Sequence, residues 1–144
     1  MSLALFLPIP VCTLRVGLIQ ALDRQDMTEA VDTSTAEHYT WGGVCDGWRL
    51  LEGNDLSVIQ ERVPASAGES PHFHARARQF FYVLSGTATM EFQDRNVVFG
   101  PGQGLHVAPN VVHRLVNGSD IDLVFLVISA PTTKGDRLNV SGPV

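Results

Sequence analysis

Between residues 40 and 130, apolar and polar positions alternate in short runs, and most runs stop at a glycine, proline or asparagine. Residues 47–53 (GWRLLEG) read as a strand closed by Gly53-Asn54, and residues 56–63 (LSVIQERV) alternate until Pro64 ends them. Residues 79–86 (QFFYVLSG) stop at Ser85-Gly86. Then come 87–92 (TATMEF), 97–99 (VVF), 105–108 (LHVA), 113–117 (HRLVN) and 121–129 (IDLVFLVIS). Many short strands at near-regular spacing, with turn residues at the breaks, predict an all-β sandwich or barrel. No stretch of 40–130 keeps a helical period long enough to compete. Any helix is expected in the first thirty residues or in the tail, and residues 32–39 read as a polar segment.

Strand parity sorts the side chains of the 79–86 run. Gln79, Phe81 and Val83 share one face, and Phe80, Tyr82 and Leu84 share the other. The second set is an apolar face that a partner subunit would cover. At 144 residues, the chain is expected to form one domain that needs no disulfide staple. A formal net charge of −5 with only ten Lys and Arg argues against a nucleic-acid partner. No basic amphipathic face suits an anionic membrane. Cys12 and Cys45 match no zinc knuckle and read as packing residues, which favours a reducing, cytoplasmic setting.

Residues 3–22 (LALFLPIPVCTLRVGLIQAL) are apolar, but Pro8, Pro10 and Arg15 interrupt any spanning helix and no positive n-region precedes them. A dimer-contact arm, an unusual export signal and an extension from an early start codon all fit, and the arm or extension is favoured. Met27 then opens the folded part. The expected organisation is an N-terminal arm or extension over 1–29, a barrel over 30–130 and an irregular tail over 131–144.

The chemistry concentrates in residues 68–86 (GESPHFHARARQFFYVLSG). His72 and His74 stand at i and i+2, so on a strand both imidazoles project from one face, their Cα atoms roughly 6–7 Å apart. Such a pair acts as a pincer on one ion. Gln79 follows across a short turn, on the face that looks into the same cavity. A third imidazole is available from residues 104–117 (GLHVAPNVVHRLVN), where His113 starts a strand just after Pro109-Asn110. The proposed donors are therefore His72, His74, Gln79 and His113. The competing view is a polar strand entrance with no ion, in which Gln79 is a hydrogen-bonding core residue. His106 is expected to be a satisfied structural histidine, and His38 to be solvated. Arg76 and Arg78 flank the mouth and read as loop arginines. Trp41, Trp48, Phe73, Phe81 and Tyr82 read as core or dimer-face aromatics, with one or two on a pocket wall. Glu61 and Glu69 are the nearest candidate bases, and nothing in the sequence pairs either with a nucleophile. No Ser-His-Asp or Cys-His arrangement, Walker loop or dinucleotide fingerprint is present.

These residues resemble the cupins, small double-stranded β-helix barrels with a first motif G-x5-H-x-H-x3,4-E-x6-G and a second G-x5-P-x-G-x2-H-x3-N. Here the first reads Gly68-x3-His72-x-His74-x4-Gln79-x6-Gly86, and the second contains Gly104-x4-Pro109-x3-His113-x3-Asn117. The resemblance covers residues 40–130. It implies an all-β, double-stranded β-helix (cupin jelly-roll) barrel with an N-terminal arm, usually a homodimer. It also implies a divalent metal, and a dioxygenase, isomerase or lyase acting on a small oxygenated organic molecule. A non-catalytic, small-molecule-binding or sensory cupin with weak or no metal is the alternative.

Three departures matter: the gap from Gly68 to His72 is short, Asn110 stands at a glycine position, and Gln79 replaces the family's glutamate. Asparagine tolerates left-handed geometry, so the second departure is mild. The third is chemical. Three neutral imidazoles and a neutral amide leave a dication's charge uncompensated, which lowers affinity and strengthens the ion as a Lewis acid. Imidazole-rich donor sets suit transition ions over magnesium or calcium, so zinc, iron, nickel or manganese is expected.

Overall fold

The computed structural model describes residues 29–144, and among them are eleven strands and no helix. The strands are β1 (Glu37–Trp41), β2 (Cys45–Glu52), β3 (Ser57–Val63), β4 (His72–His74), β5 (Arg78–Ser85), β6 (Ala88–Phe92), β7 (Asn96–Phe99), β8 (Gly104–Val107), β9 (His113–Val116), β10 (Leu123–Ala130) and β11 (Arg137–Asn139). Six of them form one sheet in the order β1-β2-β3-β10-β5-β8, and five form a second in the order β11-β4-β9-β6-β7. This is the all-β class that the alternation predicts, in the two-sheet, double-stranded β-helix form that the resemblance implies. The N-terminal arm lies outside the described residues, apart from its last position. No described helix is long and apolar enough to cross a membrane.

Period-two alternation explains which side chains enter the barrel. On β10, Leu123, Phe125, Val127 and Ser129 point inward, while the residues between them remain half-buried. On β5, Gln79, Phe81 and Val83 point inward and Phe80, Tyr82 and Leu84 are exposed, as parity predicts. The inward residues change character along the barrel. One end is apolar, built on Val63, Val83, Met90, Leu115, Leu123 and Phe125. The other holds buried polar groups: His72, His74, Gln79, His113 and Ser129. The apolar end supplies the burial energy, on the order of 25 cal/mol per Å², and gives the polar end rigid walls.

Two expectations are corrected. The polar segment 32–39 overlaps β1, an edge strand paired only with β2, whose exposed and half-buried positions give little hydrophobic signal. The tail is not wholly irregular, because β11 pairs antiparallel with β4: Arg137 lies opposite His74, Leu138 opposite Phe73 and Asn139 opposite His72. All three β11 residues are exposed, so alternation could not reveal the strand. Other boundaries differ from the expected ones by a residue or two.

Candidate metal centre

Strand β4 is three residues long and alternates as the pincer requires: His72 and His74 are buried and Phe73 is only half-buried. It is flanked by β9 and β11, and its contact with β9 sets His72 directly opposite His113. That register delivers the third imidazole. The loop before β9 is tied down by the Asn110 N–H, which donates to the His74 carbonyl at 2.7 Å. Asn110 has φ +64, the left-handed conformation that its position in the motif called for.

One ring nitrogen from each of His72, His74 and His113 lies within 4.8 Å of the other two. Ring centroids are 4.4 Å apart for His72 and His113, 5.1 Å for His72 and His74, and 6.1 Å for His74 and His113. Two rings are oriented by the same device. The Nδ1–H of His72 donates to the Ser70 carbonyl at 3.0 Å, and the Nδ1–H of His113 donates to the Val111 carbonyl at 2.8 Å. Each carbonyl sits two residues upstream and fixes the tautomer, leaving Nε2 with a lone pair. His74 Nδ1 is buried with no hydrogen-bond partner. Burial pushes His72 down to about 3 and His74 down to about 4, with the positive charge of Arg137 adding to both shifts. Burial also lowers His113, against the Val111 hydrogen bond and Glu69. All three rings are therefore neutral near neutral pH, the form that offers lone pairs to a cation.

Gln79 reaches the cluster from the facing sheet. Its Nε2 donates weakly to Ser129 Oγ at 3.4 Å, and its Oε1 approaches His113 Nε2 at 3.2 Å. His113 carries its one proton on Nδ1, so this approach sets two acceptors face to face. A cation between or beside them resolves the conflict. Exchanging the amide ends resolves it without an ion, because the amide N–H then donates to His113 and Ser129 Oγ–H donates to the amide oxygen. His74 Nδ1 stays unpartnered either way. The donor set and the orphaned nitrogen fit a divalent transition ion.

The cluster opens on a cavity of about 430 Å³ whose wall includes Tyr39, Trp41, Glu61, Glu69, His74 and Gln79. Glu69 is engaged on both oxygens: Oε2 accepts the Leu115 N–H at 2.9 Å, while Oε1 lies 3.5 Å from the Arg137 guanidinium and 4.0 Å from His72 Nε2. Glu61 Oε1 accepts the Tyr39 hydroxyl at 3.0 Å. Burial, helped by the charge of Glu69, pushes the Glu61 carboxyl up to about 8.

The structure thus brings His72, His74, His113 and Gln79 together, with both candidate glutamates on the adjoining wall. Tyr39 and Arg137 were missed, because one sits in the apparent polar segment and the other in the tail. A signal for Tyr39 was Gly47, a side-chain gap in an otherwise regular strand. His106 does not line the cavity and is no core histidine. It is exposed on β8, opposite Phe80. His38 is exposed and paired with Asp46 at 2.8 Å. Arg76 and Arg78 are exposed and absent from the cavity wall, Arg76 being drawn to Asp136 at 3.3 Å. Cys45 is a buried free thiol, pushed up to about 11 by burial.

Residues 59–129 match the family model described as a Cupin domain. Among solved structures, the fold is similar to the polyketide cyclase RemF from Streptomyces resistomycificus, with 20% identity, a TM-score of 0.68, and 81% of this chain and 88% of that one covered. An RmlC-like cupin from Shewanella frigidimarina gives 20% identity and a TM-score of 0.67, covering 77% and 97% respectively. An uncharacterized conserved protein with a double-stranded β-helix domain from Klebsiella pneumoniae gives 19% identity and a TM-score of 0.63, covering 72% and 90%. Among curated proteins, none matches the chain in sequence.

Proposed function

We propose, this chain being a member of the cupin superfamily, that it is a metal-dependent enzyme acting on a small oxygenated organic molecule. His72, His74 and His113 hold a divalent transition ion, with zinc, iron, nickel and manganese as the candidates, and Gln79 binds weakly or orients a ligand. One observation carries the reading: three neutral, buried imidazoles present ring nitrogens within 4.8 Å of one another, and one buried ring nitrogen has no protein partner. When bound, the ion supplies Lewis-acid polarisation of a substrate oxygen. The protein's own part is to fix the tautomers of His72 and His113 through Ser70 and Val111, and to enclose the substrate between the Gln79 and Glu61 walls. Fold alone does not choose among dioxygenase, isomerase and lyase.

A second reading is a non-catalytic small-molecule binder. It is supported by the alternative Gln79 orientation, which satisfies His113 and Ser129 with no ion at all. Calorimetric titration with Zn, Fe(II), Ni and Mn salts separates the two. The enzyme reading expects saturable binding at one ion per chain that His113→Ala abolishes. No binding of any ion by the wild type removes it.

We also read the protein as a homodimer in the cytoplasm. The exposed Phe80, Tyr82 and Leu84 on the outer face of β5 support the dimer, and the free Cys45 thiol fits a reducing compartment. Light scattering on the eluting protein tests the dimer, which a monomer mass would refute.

A further inference from the structure

Glu61 sits in an arrangement that crosses three strands. Tyr39 on β1 is paired with Gly47 on β2, and Gly47 is paired with Glu61 on β3, so the three form one row. The absent side chain in the middle is what joins the outer two. A Cβ added at Gly47 would lie 2.3 Å from Tyr39 Cζ and 2.6 Å from its hydroxyl oxygen. The phenol therefore lies across β2 and donates to Glu61 Oε1 at 3.0 Å. Among the described residues, no Lys, Arg or His forms an ion pair with Glu61, whereas Glu69 on the same wall is held by Leu115 and Arg137. The charged and titratable groups around Glu61 are Tyr39 from β1, Arg49 and Cys45 from β2, Glu69, and Arg137 from β11, with His74 on the same cavity wall. Burial and Glu69 outweigh Arg49, Arg137 and the phenol, and the carboxyl is mostly uncharged at neutral pH.

We propose that Glu61, held by Tyr39 across Gly47, is the acid–base residue of this cavity, and that the substrate class is a small enolisable carbonyl compound. The inference rests on the metal-site reading for the place of the carbonyl oxygen, and it selects isomerase- or lyase-type proton chemistry over dioxygenation. In the step, the ionised Glu61 carboxylate takes a proton from the carbon beside the carbonyl. The C–H electron pair becomes a C=C bond, and the carbonyl π pair moves onto oxygen as an enolate facing the imidazole cluster. Glu61, now a carboxylic acid, returns the proton to the same or the adjacent carbon. Nothing is oxidised or reduced, and no co-reactant is consumed.

Two measurements on the full chain test this. Infrared titration of the metal-free protein is expected to show a protonated-carboxyl band that disappears with a midpoint near 8. The band should be absent in Glu61→Gln, present in Glu69→Gln, and shifted to higher pH in Tyr39→Phe, which removes a hydrogen bond to the carboxylate. Proton NMR in D2O then follows exchange at the α-carbons of hydroxyacetone, dihydroxyacetone and pyruvate with zinc-loaded protein. Wild type is expected to exchange at least one of them, and Glu61→Gln to lose about a hundredfold or more of the rate while binding zinc within twofold of wild type. A missing band, no exchange of any probe, or exchange undiminished in Glu61→Gln overturns the proposal. If wild type binds no zinc, the metal-site reading fails separately, and the band together with exchange by metal-free protein still decides the role of Glu61.

Discussion

Replacing Gln79 by glutamate changes one atom type at the cluster and should move stability in opposite directions with and without an ion. The amide oxygen lies 3.2 Å from His113 Nε2, so a carboxylate there places a full negative charge beside the cluster. At ~4 Å and an effective dielectric near 20, its attraction to a dication is roughly 8 kcal/mol. The side chain is only 7% exposed, so without an ion burial drives the carboxyl toward its protonated form, and giving up that proton on binding costs several kcal/mol of the attraction. The surplus, about 1.4–2.8 kcal/mol, corresponds to roughly tenfold to a hundredfold tighter binding. Without an ion the same carboxylate faces three neutral rings and one hydroxyl. The metal-free variant should therefore be less stable than wild type by about 1–3 kcal/mol near neutral pH. Zinc calorimetry measures the first effect, and urea unfolding in EDTA measures the second. A variant that binds zinc no tighter than wild type, and is equally stable in EDTA, would refute the electrostatic reasoning.

Two further outcomes are expected. In metal-free protein, unfolded histidines take up protons near pH 6.5, whereas folded His72 and His74 resist protonation until about 3 and about 4. The unfolded state thus binds more protons in that window, and stability present above pH 6.5 is lost as pH falls toward 4. Folded Glu61, raised to about 8, holds its proton over the same window and acts in the opposite sense. The comparison is therefore made in Glu61→Gln, where urea unfolding at pH 7.0 and 4.5 should differ by a few kcal/mol in free energy, each tenfold change in a group's proton affinity being worth on the order of 1.4 kcal/mol. His72→Gln should flatten that slope, and equal midpoints at the two pH values would contradict the reasoning. Asp136 accepts the buried Ala77 N–H at 2.8 Å and the Arg76 N–H at 3.1 Å, holding the turn between His74 and Gln79. Asp136→Ala should cost about 1–3 kcal/mol of stability and weaken zinc binding, and unchanged values for both would show that this turn does not position the donors.

The strand β5 was legible from its parity, with one dry face and one exposed, and β10 from an apolar run that ends at Pro131. The His-x-His pair was legible because strand parity alone puts both rings on one side. Asn117, the last residue of the second motif, ties down the turn after β9: its Nδ2 donates to the Val63 carbonyl at 2.9 Å and the Ile121 carbonyl at 2.7 Å, while its Oδ1 accepts from Ser119. The edge strands β1 and β11 were not legible, since pairing on one side needs little hydrophobic patterning. Nor was the Tyr39–Glu61 contact, which depends on Gly47 lying between them in register, a fact of pairing between strands and not of spacing along the chain. The same limit hid Arg137, brought beside Glu69 only because β11 pairs with β4.

The central claim is that His72, His74 and His113 grip one ion. Crystals grown with zinc, with anomalous scattering collected on both sides of the zinc edge, test it most directly. The account predicts a single strong peak touching one nitrogen of each of the three rings at about 2.0–2.1 Å, with Gln79 turned so that its oxygen faces the ion. A peak away from these rings, or none at saturating zinc with the Gln79 N–H donating to His113, would contradict it.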